Sequence, residues 1–78
     1  MLKNNEKKVY NAIVEFINKN KYSPTVRELC KMTNISSPAS VHYHLRNLKL
    51  KGYITYVENL NRTIVVLKEY CEDEEFNN

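Results

Sequence analysis

The sequence contains few of the residues that mark disulfide-rich, nucleotide-binding or membrane proteins: its 78 residues include one glycine, two prolines, two cysteines and no tryptophan. Two cysteines, Cys30 and Cys71, are too few for a disulfide framework. A single glycine excludes a glycine-rich phosphate loop. No apolar run approaches the roughly twenty residues of a membrane span, and the first residues lack the apolar stretch of a secretory signal. We therefore expect a cytosolic chain with no membrane partner.

Catalytic and metal-binding patterns are missing as well. A chain of this length forms one domain at most and has little room for a deep, water-excluding pocket. No convincing Ser-His-acid or Cys-His set is present, and carboxylates cluster only near the C-terminus. His42 and His44 are two residues apart in a predicted helix and point about 200° apart, so they cannot share a metal ion. We expect no enzymatic activity, no metal and no cofactor.

Charge is distributed unevenly along the chain. The net charge is +3, but residues 1–68 hold all twelve Lys and Arg with only four acids, whereas residues 69–78 hold five acids and no base. The excess positive charge of residues 1–68 attracts phosphate groups. A solvated, lysine-rich surface with no ligand would have the same composition. We predict a nucleic-acid-binding domain over residues 1–68 and an acidic, mobile tail over residues 69–78.

Three helices are predicted before the only glycine. Residues 5–20 have apolar side chains at helical spacing. Thr25 and Glu28 form a capping box for a short second helix that ends near Asn34, and Ile35 is expected to fill the angle between two helices. Ser36 or Ser37 followed by Pro38 opens a third helix. The predicted inward residues are Val9, Ile13, Phe16 and Ile17, then Val26, Leu29 and Cys30, then Val41, Leu45 and Leu48.

A β-hairpin is predicted after Gly52, which stands where a left-handed helix end is favoured. Residues 53–57 and 63–67 are β-branched and aromatic runs, and the polar residues 58–62 separate them. Helix, short helix, turn, helix and hairpin are the elements of a winged helix-turn-helix, a mainly α fold with a small β-hairpin as the wing.

Six segments in the order of the chain also match one family pattern, and the segments P-T-V-R-E and K-G-Y-I are specific in combination. The matching residues are 22–29, 36–37, 40–45, 48, 51–54 and 62–64. Together they resemble the N-terminal DNA-binding domain of the LexA repressor family, over roughly residues 9–67. The resemblance implies a winged helix that places its third helix in the major groove of an operator and its wing on the adjacent backbone or minor groove.

The chain departs from the family pattern in two respects. Full-length members of the LexA family continue into a Ser/Lys self-cleaving domain that also dimerises. These 78 residues contain no such domain, so we expect no self-cleavage. The third helix has Ala39, His42 and Tyr43 on its predicted outer face, so the operator preferred by a particular relative cannot be transferred to this chain.

DNA-contacting residues follow from the orientation of the third helix. Residues at the front of its outward face reach base edges in a helix-turn-helix, although ordinary solvent exposure is the alternative for His42 and Tyr43. His44 is expected on the inner side, as a packed and hydrogen-bonded core histidine. The predicted base-reading residues are Ser37, Ala39, Ser40, His42 and Tyr43. The predicted phosphate and wing contacts are Thr25, Arg27, Lys31, Arg46, Lys49, Lys51, Asn59, Asn61 and Arg62.

The phosphate contacts are not equally supported. For each lysine alone, a solvated surface position is as good an interpretation as a contact. Arg62 is favoured as a contact, because an arginine at a polar hairpin tip has few evident structural reasons to be there. Each phosphate that is neutralised adds about 0.9 to the salt dependence of binding.

Two function classes remain after this reading. A transcriptional regulator is favoured over a winged helix used for protein–protein binding, because the outer face of the third helix is polar and basic. Such a regulator is expected to be nucleoid-associated, since it binds double-stranded operator DNA. The acidic tail could fold onto the basic face or bind a partner. Residues 64–67 are apolar on both faces of the predicted strand, which suggests a homodimer contact or packing by Tyr70 and Phe76.

Overall fold

The computed structural model describes residues 2–67, in which three helices precede a two-stranded antiparallel sheet. This is the mainly helical winged helix-turn-helix architecture that the sequence predicts. The helices are α1 (Asn4–Asn20), α2 (Val26–Thr33) and α3 (Pro38–Leu50), and the strands are β1 (Ile54–Thr55) and β2 (Val65–Val66). The predicted acidic tail, with Cys71, Tyr70 and Phe76, lies outside the described residues.

The end of α1 falls at the predicted residue, Asn20. The next residue, Lys21, takes a left-handed conformation with φ of 67°. The Lys21 amide donates to the Ile17 carbonyl at 2.8 Å, which satisfies one of the last free carbonyls of the helix. Pro24 is buried and belongs to the connection to α2.

The start of α2 is the predicted capping box. The Glu28 amide donates to Thr25 Oγ1 at 3.2 Å, and the Thr25 amide donates to Glu28 Oε1 at 2.8 Å. The helix ends at Thr33, and the next residue, Asn34, caps it with a φ of 62°. Ile35 then packs against the core from a half-buried position, as expected for a residue between two helices.

The third helix also begins and ends at the predicted residues. Ser37 Oγ accepts a hydrogen bond from the Ser40 amide at 3.4 Å, and Pro38 occupies the first turn, where its missing N–H costs nothing. Gly52 follows the helix with a φ of 84°. Both local signals therefore predicted the start and the end of α3 correctly.

The hairpin is shorter than the two runs of five residues that the sequence predicts. Within residues 2–67, only Ile54 with Val66 and Thr55 with Val65 are paired in the sheet. Beyond them, the Val57 amide donates to Thr63 Oγ1 at 2.9 Å, where a longer ladder would use the Thr63 carbonyl, so regular pairing stops towards the wing tip. The Ile64 amide points away from β1 and donates to Ser23 Oγ at 3.0 Å.

The core is formed where the three helices and the hairpin meet. Val41, Leu45 and Leu48 of α3 are buried, as predicted from their spacing. Cys30 is half-buried against this core rather than fully inside it. The other buried members of this core in residues 2–67 are Leu2, Val9, Tyr10, Ala12, Ile13, Leu29, Tyr53, Ile54 and Ile64.

Candidate nucleic-acid interface

The outer face of α3 is open to solvent, because its opposite face fills the core. Ser37, Ala39, His42 and Tyr43 are exposed, and Ser40 is half-buried next to the buried Val41. Tyr43 is 57 % exposed, and its ring has an edge contact with the His44 ring at 5.5 Å. The predicted base-reading residues therefore form a continuous surface at the start of the helix, and the structure leaves them accessible.

A cleft joins this surface to α2 and to the tip of the wing. Its volume is about 670 Å³, and it is open to solvent. It brings together five residues that the sequence predicts as contacts with DNA. These residues are Thr25 at the start of α2, Arg27 and Lys31 of α2, His42 of α3 and Asn61 of the wing.

The front of α2 also borders this cleft. Thr25 lines it, but the Thr25 hydroxyl is engaged with Glu28, to which it lies 3.2 Å away. What the segment offers to a phosphate is therefore mainly the positive end of the helix and its backbone N–H groups. Arg46, on the outer face of α3, and Asn59, at the wing tip, are exposed.

Two lysines near the end of α3 have structural partners that the sequence did not reveal. Lys49 Nζ donates to the Tyr56 carbonyl at 3.0 Å and lies 4.5 Å from the centroid of the Tyr56 ring. Lys51 Nζ lies 2.6 Å from Glu6 Oε1, and the Glu6 side chain is buried. Their ammonium groups stabilise the packing of α3 against the wing and α1.

Arg62 has structural partners at the hairpin tip, so the expectation that few structural reasons exist for an arginine there is wrong. Its guanidinium has three structural contacts: Nη1 and Nη2 donate to the Glu28 carboxylate at 3.0 and 3.2 Å, Nη1 donates to the Ser23 carbonyl at 3.0 Å, and Cζ lies 4.8 Å from the centroid of the Tyr22 ring. An arginine at this hairpin tip has a clear structural role.

His44 is half-buried and not the fully satisfied core residue that the sequence predicts. Within residues 2–67, its buried Nδ1 atom has no hydrogen-bond partner. The expected hydrogen bond is therefore missing at this atom. No cluster of three or more metal-ligating side chains occurs in the described part of the chain, and none of the helices there is long and apolar enough to cross a membrane.

Sequence reasoning missed the acidic partners of the basic residues. Glu28 was assigned only to the capping box, and Glu6 had no assigned role. The Glu28 carboxylate binds Arg62, which is 34 residues away along the chain, and the Glu6 carboxylate binds Lys51, which is 45 residues away. The unusual burial of Glu6, which is 1 % exposed, had a weak sequence signal in its position on the apolar face of α1.

The comparison with known families agrees with this geometry. A model of the LexA DNA binding domain matches residues 1–63. The chain belongs to the LexA DNA-binding domain family. The residues that match include all three helices and the wing tip.

LexA repressors of several bacteria are similar to the chain. It is 38 % identical to the LexA repressor of Carboxydothermus hydrogenoformans over 95 % of its own residues and 36 % of that protein. It is 47 % identical to the LexA repressor of Desulfatibacillum aliphaticivorans, over 77 % of the chain and 30 % of the relative. It is 46 % identical to the LexA repressor of Clostridium novyi, over 78 % of the chain and 30 % of that relative. The chain thus spans about a third of the length of these LexA relatives.

Proposed function

We propose that the chain binds double-stranded DNA in a sequence-specific way and acts as the DNA-binding part of a transcriptional repressor. The third helix enters the major groove, and the wing lies on the adjacent backbone or minor groove. The observation that carries this proposal is the cleft at which Arg27, Lys31, His42 and Asn61 meet beside the open front of α3. Membership of the LexA DNA-binding domain family supports it.

Base reading is assigned to the front of α3. The imidazole of His42 can donate to or accept from a purine edge, and the methyl group of Ala39 can contact a thymine methyl. The Ser37 hydroxyl accepts from the Ser40 amide, so its own O–H remains available as a donor. Tyr43 offers a phenol hydroxyl from an exposed ring. Ser40 is the least accessible of the five, because it is half-buried.

Phosphate contacts are assigned to the exposed cations around this surface. Arg27, Lys31 and Arg46 are exposed and present full positive charges. Asn59 and Asn61 add neutral donors from the wing tip, and the start of α2 adds backbone N–H groups. Lys49, Lys51 and Arg62 are secondary candidates, because each already binds a group of the protein.

The test is selection of duplexes from a random pool, followed by titration of the enriched duplex. We expect one motif to be enriched and His42→Ala and Tyr43→Ala each to weaken binding to it on the order of tenfold, the scale of one base contact. Asn11→Ala, on the exposed side of α1, is the matched control and should bind as wild type does. A pool with no enriched motif would contradict the proposal and favour a protein–protein interaction module.

We also propose that two copies bind a two-fold symmetric operator. Val65 and Leu67 are exposed apolar side chains beside a groove between α1 and β2 of about 620 Å³, and a second copy could cover them. Half-sites should then be about one helical turn, or 10 bp, or a multiple of it apart. Analytical ultracentrifugation with and without the enriched duplex gives the stoichiometry; one copy on a single half-site would contradict this part.

A further inference from the structure

We propose that Glu28 is a positioning residue for DNA binding: it holds Arg62, and with it the wing, against the start of α2. The wing would then meet the duplex at a set distance from α3. This inference rests on the proposed function and deepens it, because it assigns Arg62 to the placement of the wing and not to a phosphate. The contacts that support it join residues far apart in the sequence, Glu28 with Arg62 and Ser23 with Ile64.

The first support is the geometry of the ion pair. Arg62 Nη1 donates to Glu28 Oε1 at 3.0 Å, and Arg62 Nη2 donates to Glu28 Oε2 at 3.2 Å. A two-pronged pair of this kind fixes the plane of the guanidinium as well as its distance. The Tyr22 ring below it, 4.8 Å from Cζ, restricts the guanidinium from a second direction.

The second support is a separate bond between the wing and the segment before α2. The Ile64 amide donates to the buried Ser23 Oγ at 3.0 Å, and Ser23 Oγ donates to the Pro24 carbonyl at 3.1 Å. Arg62 also donates to the Ser23 carbonyl at 3.0 Å. Two wing residues, Ile64 and Arg62, therefore bond to Ser23. The segment that leads into β2 and the wing tip are thus attached at the same place, just before α2.

The third support is the double use of the Glu28 carboxylate. Its Oε1 atom accepts from the Thr25 amide at 2.8 Å while it also accepts from Arg62. One carboxylate thus orders the start of α2 and the tip of the wing. Because Thr25 and Asn61 line the same cleft, the two parts of the surface offered to DNA are held as one unit.

The backbone of the wing tip is consistent with this role. Arg62 has a φ of 57°, a conformation that costs most residues other than glycine free energy. The contacts of its side chain offset that cost only while the wing is attached. Release of the guanidinium from Glu28 is therefore expected to change the conformation of the tip and not merely one side chain.

Positioning and phosphate contact predict opposite effects of removing the Glu28 charge. A phosphate that approaches Arg62 also approaches Glu28, so a phosphate contact would be strengthened when that negative charge is removed. If Glu28 positions the wing, its removal weakens binding. The sign of the change in affinity decides between the two roles.

The decisive variant is Glu28→Gln, tested on the duplex that the wild-type chain enriches from a random pool. Glutamine preserves the capping box, so α2 should still form. Glu58→Gln is the matched control, since it removes the same charge from the exposed wing tip without touching Arg62. We expect Glu28→Gln to weaken binding about three- to tenfold, and Glu58→Gln to leave it unchanged or slightly stronger.

Hydroxyl-radical footprinting separates the wing from α3. In Glu28→Gln, protection of the backbone beneath the wing should be lost, while protection on both sides of the major groove read by α3 should remain. A general loss of stability would weaken both regions together. Tighter binding by Glu28→Gln with a complete footprint would overturn the proposal.

Arg62→Lys provides an independent check, because lysine keeps the charge but lacks the fork of donors. Positioning predicts that Arg62→Lys loses affinity as Glu28→Gln does, and that the double variant loses no more than either single variant. A phosphate contact predicts near wild-type binding for Arg62→Lys. Additive losses in the double variant would contradict the proposed pair.

Amide hydrogen exchange tests the attachment of the wing without DNA. In Glu28→Gln and Arg62→Lys the Ile64 amide should exchange faster than in wild type, while the core amide of Leu45 should be unchanged. Unchanged exchange at Ile64 would overturn the proposal. If no duplex is enriched, the proposed function fails and the role in DNA binding fails with it, but faster exchange at Ile64 would still demonstrate the link.

Discussion

Lys51 Nζ lies 2.6 Å from the Glu6 Oε1 atom, so the residue that follows α3 is bound to a buried carboxylate in the first turn of α1. Asn47 Nδ2 donates to the other oxygen, Glu6 Oε2, at 2.9 Å, and the Lys3 amide donates to Oε1 at 3.3 Å. The Glu6 side chain is 1 % exposed, and that of Lys51 is 35 % exposed. This arrangement fixes the end of α3 relative to α1, and with it the direction in which the front of α3 points.

Replacing Lys51 with methionine should destabilise the fold, because it leaves the buried Glu6 carboxylate without its cation. Loss of one partner of a buried ion pair costs about 3–5 kcal/mol, and we expect about 2 kcal/mol here since Lys51 is partly solvated. Urea unfolding measures the free energy. The matched control is Lys19→Met on the exposed side of α1, which should change it by less than about 0.5 kcal/mol. Equal effects of the two variants would contradict the assigned role.

The pH dependence of stability should contain a contribution from Glu6. Burial raises the pKa of Glu6, but the hydrogen bonds from Lys51, the Lys3 amide and Asn47 together bring it below the usual carboxyl value. Because the folded pKa is lower than the unfolded one, this contribution is complete above the unfolded pKa of 4.5 and is lost as the pH falls through the folded value.

The measurement compares wild type with Glu6→Gln by urea unfolding between pH 7 and pH 3. The stability difference between the two should shrink as the pH falls below the ordinary carboxyl range. Glu28, whose pKa is also lowered, chiefly by the hydrogen bond from the Thr25 amide, is present in both proteins, so its contribution cancels in the difference. A difference that is constant over this range would show that Glu6 does not titrate as described.

The sequence predicted those parts of the fold that depend on neighbouring residues. The Thr25 capping box, the Ser37–Pro38 start of α3 and the helix end at Gly52 each involve residues within a few positions of one another. Burial of Val41, Leu45 and Leu48 follows from helical periodicity in the same way. These local signals were sufficient to predict which face of α3 is exposed.

Contacts between distant residues could not be predicted in this way. A solvated lysine and one that binds a buried carboxylate look the same in a sequence, which is why Lys51 was assigned to phosphate. Arg62 and Glu28 are 34 residues apart, and only the packing of the wing against α2 brings them together. The hairpin was predicted too long because residue types do not reveal that the Val57 amide donates to the Thr63 side chain instead of continuing the ladder.

Gly52 should be replaceable only at the cost of backbone strain. Its φ of 84° is disfavoured for residues that have a Cβ atom, yet a Cβ there would meet no other described residue within 4 Å apart from the two neighbours of Gly52 in the chain. Gly52→Ala should therefore lower the free energy of unfolding by about 1 kcal/mol, and Gly52→Asn by less, because asparagine tolerates this conformation better. Thermal unfolding of the two variants checks the order. An alanine variant as stable as wild type would show that α3 can end in another way.

Arg46 and Lys51 should differ in the salt dependence of DNA binding, although both were predicted from the sequence as phosphate contacts. Arg46 is exposed on the outer face of α3, whereas the Lys51 ammonium binds Glu6. Arg46→Met should lower the slope of log affinity against log salt by about 0.9, the value for one phosphate. Lys51→Met should leave the slope near that of wild type, because no phosphate contact is removed. Titration of the enriched duplex at four or more salt concentrations, at a temperature at which circular dichroism shows both variants folded, gives the slopes. Equal decreases in the two variants would mean that Lys51 leaves Glu6 to bind a phosphate when the duplex is present.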